Sequence, residues 1–337
     1  MTDPQMVNSS ADGVDSRRKD HGAGKVTVVV LTLNEEKNLG ACLESVVGWA
    51  QEIFIVDSHS TDATHEIAAS YGAQIVARKF ETHAKQWNWA LQTLPISSEW
   101  VLGLDADQCV TPELAAEIAC WVGRPQSAGI AGCYLNRRQV FRGRWIRHGG
   151  YYPKYLLKLF RRGQAQVNEG DRVDHHFTVN GPVAKLRFDI IEDNRNEADL
   201  TAWIEKHNRY ALLQAMEEHE QRSRRAARSS IFGSPDERTI WLKRTWSRLP
   251  LYVRPALLFS YRYFIRLGFL DGKQGFIFHF LQSFWYRLLV DIRLDELRAK
   301  ATDLKANAGA VIDHQAEKPA SRQSSLNRTT EIQENIV

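Results

Sequence analysis

The chain has 337 residues, of which 43% are hydrophobic, 25% charged and 10% aromatic, enough for one large α/β domain with an appendage or for two modest domains. That balance excludes a fully disordered chain, a collagen and a simple coiled coil. The net charge of +4, from 44 Lys+Arg against 40 Asp+Glu, is too mild for a nucleic-acid-binding protein, so no nucleic-acid partner is expected.

Residues 1–24 are polar, aperiodic and rich in Gly, Ser and Asp, which predicts a disordered N-terminus. Asp3, Asp12 and Asp15 stand where a signal peptide would need its apolar core. Lys25 to Thr32 is a β-branched run with apolar residues on both faces, the pattern of a strand buried in a parallel sheet. After the polar break Leu33 to Glu36, Leu39, Leu43, Val46 and Val47 recur at helical spacing across Glu36 to Trp49. Glu52 to Asp57 reads as a second strand, closed by the polar loop Ser58 to Thr64. A helix over Asp62 to Tyr71 follows, for which Ser60 or Thr61 is the expected N-cap. The cycle repeats as a strand over Gln74 to Ala77, a helix over Ala84 to Leu94 and a strand over Trp100 to Leu104 ending in Asp105-Ala-Asp-Gln108. Four such alternations imply a doubly wound sheet with ligand groups at the carboxyl ends of its strands.

Thr111-Pro112-Glu113 is a helix start, Thr capping and Pro opening the first turn. Gly129 to Val140 and Tyr155 to Phe160 are strand-like, a polar stretch runs to His176, and helices begin near Ala198. From Arg222 to Lys300 there are sixteen Lys/Arg against six Asp/Glu among many Trp, Tyr and Phe. Between Leu249 and Leu297 these basic and aromatic residues mix at near-helical spacing, with Gly268 and Asp271-Gly272 as a turn. Such a segment suits helices lying in a bilayer interface, or a helical hairpin packed on the preceding domain. Residues 304–337 are again polar and predict a disordered tail. No apolar run reaches the roughly 18 to 20 residues of a spanning helix. Cys42, Cys109, Cys120 and Cys133 form no CxxC pair, which fits a reducing cytoplasm.

Asp105 and Asp107 follow an apolar strand, and alternation on its end would aim both carboxylates to one side. Hard cations such as Mg²⁺ or Mn²⁺ take carboxylate oxygens and share substrate phosphates, although Asp-x-Asp is also common in solvated turns. Asp57 closes the second strand in the same way, placed to accept from a ligand's N–H or hydroxyl. Gly-x-Gly-x-x-Gly after the first strand, the P-loop pattern and Gly-x-Ser-x-Gly are all missing, which removes the usual dinucleotide, P-loop and α/β-hydrolase readings.

Val28-Val-Val-Leu-Thr-Leu-Asn-Glu-Glu36, Ile55-Val-Asp-Ser-His-Ser-Thr-Asp-Ala-Thr64 and Val101-Leu-Gly-Leu-Asp-Ala-Asp107, in that order, resemble family 2 glycosyltransferases. The resemblance implies a GT-A type doubly wound mixed sheet, a nucleotide-sugar donor, a divalent metal and inversion at the anomeric carbon. It also implies that Thr32, Asn34 and Glu35 line the nucleotide pocket, Asp57 meets the base, Lys85 and Asn88 lie near the donor, Asp105 touches the ribose and Asp107 binds the metal. Arg172 to Val183 with Trp203 to Tyr210, and Gly268 to Gly272 with Phe284 to Arg287, resemble bacterial enzymes of lipopolysaccharide core and exopolysaccharide synthesis. That subgroup would carry a Glu at or just before His175, where this chain has Asp174-His175-His176. A base is needed to take the acceptor proton. Asp174 ranks first, with His175 or Glu169 as alternatives and a non-catalytic polar loop as the bland reading. Arg137, Arg138, Arg142, Arg144 and Arg147 with Trp145 and His148 read mainly as a solvated basic loop, of which one or two members face an anionic acceptor or the diphosphate.

The expectation is therefore a GT-A domain over 25–230 and a basic, aromatic, helical membrane-facing region over 231–303. The enzyme would lie in the cytoplasm, peripheral on the inner face of the cell membrane, with a lipid-linked or lipid-anchored glycan acceptor and an anionic membrane surface as partners. A nucleotidyltransferase, or an inactive membrane-bound scaffold of the same fold, are the alternatives.

Overall fold

The computed structural model describes residues 26–169, 176–197, 199–223, 245–246 and 248–316. The expected alternation is present: β1 (Val26–Thr32), α1 (Leu39–Glu44), β2 (Glu52–Asp57), α2 (Thr64–Ser70), β3 (Gln74–Ala77), α3 (His83–Thr93) and β4 (Trp100–Asp105). β5 (Gln108–Val110), α4 (Pro112–Val122), β6 (Gly132–Phe141), β7 (Arg144–Trp145), β8 (Tyr155–Arg161), β9 (Ala165–Val167), β10 (Phe177–Val179) and β11 (Val183–Glu192) follow. One mixed sheet has the order β3-β2-β1-β4-β8-β6-β11-β5, with β7 on β6, and β9 and β10 make a separate ribbon.

Every residue of β1 is buried, because helices cover both faces of the strand. Val28 and Val30 pack with Leu39, Leu43, Leu114 and Ile118, while Val29 and Leu31 pack with Ala84, Trp87 and Ala90. Each such aliphatic side chain contributes roughly 1.5–3 kcal/mol on burial. β1, β2, β3 and β4 are parallel, β8 is antiparallel to β4 and to β6, and β11 is parallel to β6. Thus β6 and β11 run in the direction of β4, and their carboxyl ends emerge on the same edge.

Local chemistry moved several boundaries. α1 is shorter than Glu36 to Trp49 because Ser45 turns its hydroxyl back on the Cys42 carbonyl at 2.7 Å. α2 is not capped by Ser60 or Thr61; the Thr64 amide donates to Asp62 at 3.1 Å, while Ser60 is spent on Asp57. The alternation that would aim Asp105 and Asp107 together fails, since β4 ends at Asp105 and the chain turns through Ala106 and Asp107 into β5.

The C-terminal part is helical: α5 (Leu200–Ser223), α6 (Val253–Ser260), α7 (Gly272–His279) and α8 (Tyr286–Ala316). A π-helical stretch, Tyr261–Ile265, extends α6; a 3-10 turn, Gly268–Asp271, precedes α7; and a second π-helical stretch, Phe280–Trp285, joins α7 to α8. α8 runs to Ala316, past residue 304 where composition placed the start of the tail. Residues 1–24 and 317–337 lie outside the described residues.

The sequence boundary near residue 230 also lies outside them, but the helices on either side of it pack together. Ala211 and Ala215 of α5 are buried with Tyr286, Val290 and Leu294 of α8. Arg254, 1% exposed, donates to Asp291 at 2.7 Å and to Glu218 at 3.0 Å, and Arg287 donates to Glu218 at 2.7 Å. Burial raises the Glu218 carboxyl, but Arg287 and Arg254 outweigh it and hold it below its usual range. The helices also grip the sheet, with Phe141, Ile146 and Tyr151 packed on Trp203, Phe278 and Leu281.

At that junction His279 is fully buried with neither ring nitrogen hydrogen-bonded among the described residues. Gly149, at φ +69°, and Gly268 make room for it: a Cβ on Gly149 would stand 1.9 Å from the His279 ring. Burial, then Arg262, push the imidazole down to about 4, with His148 adding to this and Asp271 opposing it. Between pH about 4 and 6.5 the unfolded chain therefore binds a proton here that the folded chain does not, so stability falls as pH drops through that window. We expect this group to remove up to about 3 kcal/mol between pH 7 and pH 4. Urea midpoints across that range check it: His279→Gln should flatten the slope, and an unchanged slope would contradict the assignment.

Candidate active site

The carboxyl ends of β1, β2 and β4 lie side by side, with Thr32 paired to Asp57 and Leu31 to Asp105 in the strand register. Asp57 is fully buried. It accepts from the Thr32 hydroxyl at 2.8 Å, the Ser60 amide at 2.8 Å, the Ser60 hydroxyl at 2.5 Å and His65 Nε2 at 2.8 Å. Burial raises its carboxyl, but the Ser60, His65 and Thr32 donors together outweigh it and hold it below the ordinary carboxylate range. Asp57 thus fixes the Ser58 to Thr64 loop.

That loop is laced to the one after β1. Asn34, at φ 55°, donates its amide to Ser60 at 2.8 Å and accepts from the Thr61 amide at 2.8 Å. The Glu35 amide donates to Thr64 at 2.8 Å and the Glu36 amide to Asp62 at 3.1 Å. The Glu35 side chain accepts from Asn38 at 2.7 Å and from Asn196 at 3.1 Å. Burial is the main influence on Glu35 and raises it, with Asn38 opposing. The segment after β11 closes the edge: the Asp193 amide donates to the Asp107 carbonyl at 3.0 Å, and the Arg195 amide to Asn38 at 2.8 Å.

The two carboxylates of the Asp105-Ala-Asp motif have different surroundings. Asp105 pairs with the buried Lys158 of β8 at 2.9 Å. Asp107 has no hydrogen-bond donor among the described residues. Burial, then Glu192 and Asp105, push its carboxyl well above the usual range, and Lys206 pulls the other way. Lys206 pairs with Glu197 at 2.5 Å; Glu197, Tyr210 and Asp107 outweigh the effect of burial and raise its ammonium. Glu192 is itself bound by Arg137 at 2.9 Å and by the Gln108 amide at 2.8 Å.

No group of three or more metal-ligating side chains gathers among the described residues. A donor-free carboxylate in a field of other carboxylates still fits Mg²⁺ or Mn²⁺, which keep several waters and take few protein oxygens beside phosphate. Asp107 would be the protein ligand.

Other expected residues stand apart. Lys85 pairs with Glu81 at 2.8 Å on the exposed side of α3. Asn88 binds β9 through both its amide nitrogen and its amide oxygen, donating to the Val167 carbonyl at 2.9 Å and accepting from the Val167 amide at 2.8 Å. Asp174 and His175 lie outside the described residues, and Glu169 is exposed beside them. The described residues on either side of 170–175 are fixed by packing and hydrogen bonds. Val167 is clamped by Asn88, and the Phe177 ring rests on Gly103 of β4 and on Trp87, 4.8 Å between ring centroids. Side chains that the sequence did not single out include His65, Asn38, Lys158, Glu192, Asn196 and Lys206. Lys158 and Glu192 reach the edge through strand pairing, and Asn196 from the 3-10 turn, Arg195–Glu197, that follows β11.

Residues 27–180 match the family model described as glycosyl transferase family 2. The lipopolysaccharide core biosynthesis glycosyltransferase LpsC of Rhizobium meliloti is 28% identical over 271 residues, 77% of this chain and 90% of that protein. An uncharacterized glycosyltransferase of Rickettsia bellii is 35% identical over 94 residues, 28% of this chain and 31% of that protein. Among solved structures, a mannosyltransferase of Pyrobaculum calidifontis in complex with GDP-Man and Mn²⁺ is 15% identical, covering 81% of this chain and 87% of that one, with a TM-score of 0.46.

The geometry at Asn88 generates a prediction. Asn88→Ala should cost about 1–3 kcal/mol through two lost main-chain hydrogen bonds, measured by urea unfolding. Nucleotide affinity should stay within about threefold. A tenfold weaker nucleotide with intact stability would instead make Asn88 a donor ligand.

Proposed function

We propose, from the match of residues 27–180 to the glycosyl transferase family 2 model, that the chain is an inverting, metal-dependent enzyme moving a sugar from a nucleoside-diphosphate donor to a hydroxyl of a lipid-linked glycan. The observation that carries this reading is Asp107, a carboxylate with no donor among the described residues, facing Asp105, Glu192 and Glu35 at the edge where β1, β2 and β4 end. The likeness to LpsC supports an acceptor in lipopolysaccharide core synthesis.

The metal on Asp107 would supply charge neutralisation for the leaving diphosphate. The chain's own residues do the rest. Lys158 balances Asp105 and leaves Asp107 as the cation ligand. The two cross-linked loops, Leu33 to Glu36 and Ser58 to Thr64, form a rigid wall for the nucleotide, held by Asp57 from behind. Asp174 takes the acceptor hydroxyl proton as attack proceeds from the face opposite the diphosphate, with His175 and Glu169 as the residues to test against it. The segment from Leu249 to Leu297 would hold the enzyme on the inner face of the membrane. Among the described residues no helix is long and apolar enough to cross it.

Thermal-shift measurements with a panel of nucleotide sugars should show stabilisation by one donor class only when Mn²⁺ or Mg²⁺ is present. Turnover should fall about a hundredfold or more in Asp107→Asn. Full activity in chelator would overturn the metal role. Asp174→Asn should abolish transfer with donor binding intact; if it stays active while His175→Ala or Glu169→Gln is dead, the base is elsewhere.

A further inference from the structure

Eleven of the nineteen exposed large apolar side chains among the described residues fall between Tyr252 and Phe280. Six of them, Tyr261, Phe264, Ile265, Leu267, Phe269 and Leu270, lie in the stretch that joins α6 to α7, where Phe264 is 57% exposed, Ile265 71% and Leu270 50%. Several of the aromatic rings stack on one another, as Phe259 does on Tyr263 at 5.2 Å, so the apolar tip is a packed unit. Solvent alone gives no reason for so many exposed apolar groups in one turn.

The charge around this tip is of one sign. Residues 118–168 contain ten Lys/Arg and no Asp or Glu, and residues 249–290 contain a single acid, Asp271, which is buried. Arg142, Arg144 and Arg147 of the β6–β7 region and Arg266 of the tip are exposed. None of the four pairs with a carboxylate among the described residues. Unpaired guanidiniums around an apolar tip match the layering of a bilayer surface, phosphate groups outside and acyl chains within.

Loop and tip are one body. Asp271 accepts from the His148 amide at 2.9 Å and from the His148 ring at 2.7 Å. The Gly149 amide donates to the Arg266 carbonyl at 2.9 Å, and the Arg266 guanidinium lies against Gly150. Phe141, just before Arg142, meets Phe278 of α7 at 5.2 Å. Because β6 runs in the direction of β4, this loop leaves the sheet at the edge that carries Asp105 and Asp107.

We propose that the tip and the arginine loop form a single docking surface for an anionic membrane, with Phe264, Ile265, Leu267, Phe269 and Leu270 entering the acyl region and Arg142, Arg144, Arg147 and Arg266 binding lipid phosphates. This rests on the peripheral location proposed above and names its surface, which includes a loop of the sugar-transfer domain itself. The docked enzyme would hold its ligand edge at the headgroup layer, where the sugar of a lipid-linked acceptor lies.

Co-sedimentation of the full chain with phosphatidylcholine vesicles, with and without phosphatidylglycerol, tests it. Anionic vesicles should bind at least about tenfold more tightly, an excess that salt removes. Changing Arg142, Arg144, Arg147 and Arg266 together to Gln should abolish that excess and keep the weak binding to neutral vesicles. Phe264→Ser with Ile265→Ser should lose both, and thermal melts of both variants confirm folding because all the changed residues are exposed. Retention of the anionic preference by the arginine variant overturns the surface. Failure of the wild-type chain to bind either vesicle overturns the surface and the peripheral location, while nucleotide-sugar turnover, measured separately, decides the transfer reading.

Discussion

Strand direction is the constraint on which the site depends. β1, β2, β4, β6 and β11 all run the same way, so the carboxyl ends of β1, β2, β4 and β11 deliver Thr32, Asp57, Asp105 and Glu192 to one edge of the sheet. A parallel pair needs a crossover, and the crossovers among β1, β2, β3 and β4 are helices packed on both faces. The residues at the edge are then spared from packing and left to charge. Their arrangement is unequal: Asp57 is saturated by its own chain, Asp105 is neutralised by Lys158, and Asp107 has no side-chain donor among the described residues. Asp107 is thus the carboxyl whose charge the neighbouring acids and burial disfavour, which fits the proposed place for a cation shared with a diphosphate.

The second constraint is the junction between the sheet and the C-terminal helices. Composition changes sharply after residue 222, and the sequence therefore reads as a domain followed by an appendage. The structure joins them through Arg254, Asp291 and Glu218, through Ala211 and Ala215 under α8, and through Asp271 on His148. These contacts bring together residues more than thirty positions apart, and no periodicity announces them. The price of that close fit is His279, an imidazole without a hydrogen-bond partner among the described residues, in a slot that glycine at positions 149 and 268 leaves open.

Much of the fold was legible because its signals are local. β1 is a β-branched run buried on both faces, α4 starts at the Thr111 cap that Thr111-Pro112-Glu113 announces, and the strand ends carry their acids in plain view. Less was legible where one side chain competes with another. Asn88 sits near the expected donor residues in sequence but closes on Val167, and Ser60 looks like a helix cap but turns to Asp57. Lys158 reads as an ordinary strand residue until the β4–β8 pairing places it on Asp105. The antiparallel insertion of β8 between β4 and β6 is the long-range step that composition and spacing do not encode.

The central claim is that Asp107 holds a divalent cation against a nucleoside diphosphate. Pulsed electron-nuclear resonance on Mn²⁺ added to the full chain with UDP or with GDP tests this most directly, because it detects phosphorus coupled to the bound metal. The account predicts a protein-bound Mn²⁺ with ³¹P coupling for one of the two nucleotides in the wild-type chain, lost in Asp107→Asn. Bound Mn²⁺ with the same ³¹P coupling in Asp107→Asn, or no ternary complex with either nucleotide, would contradict it.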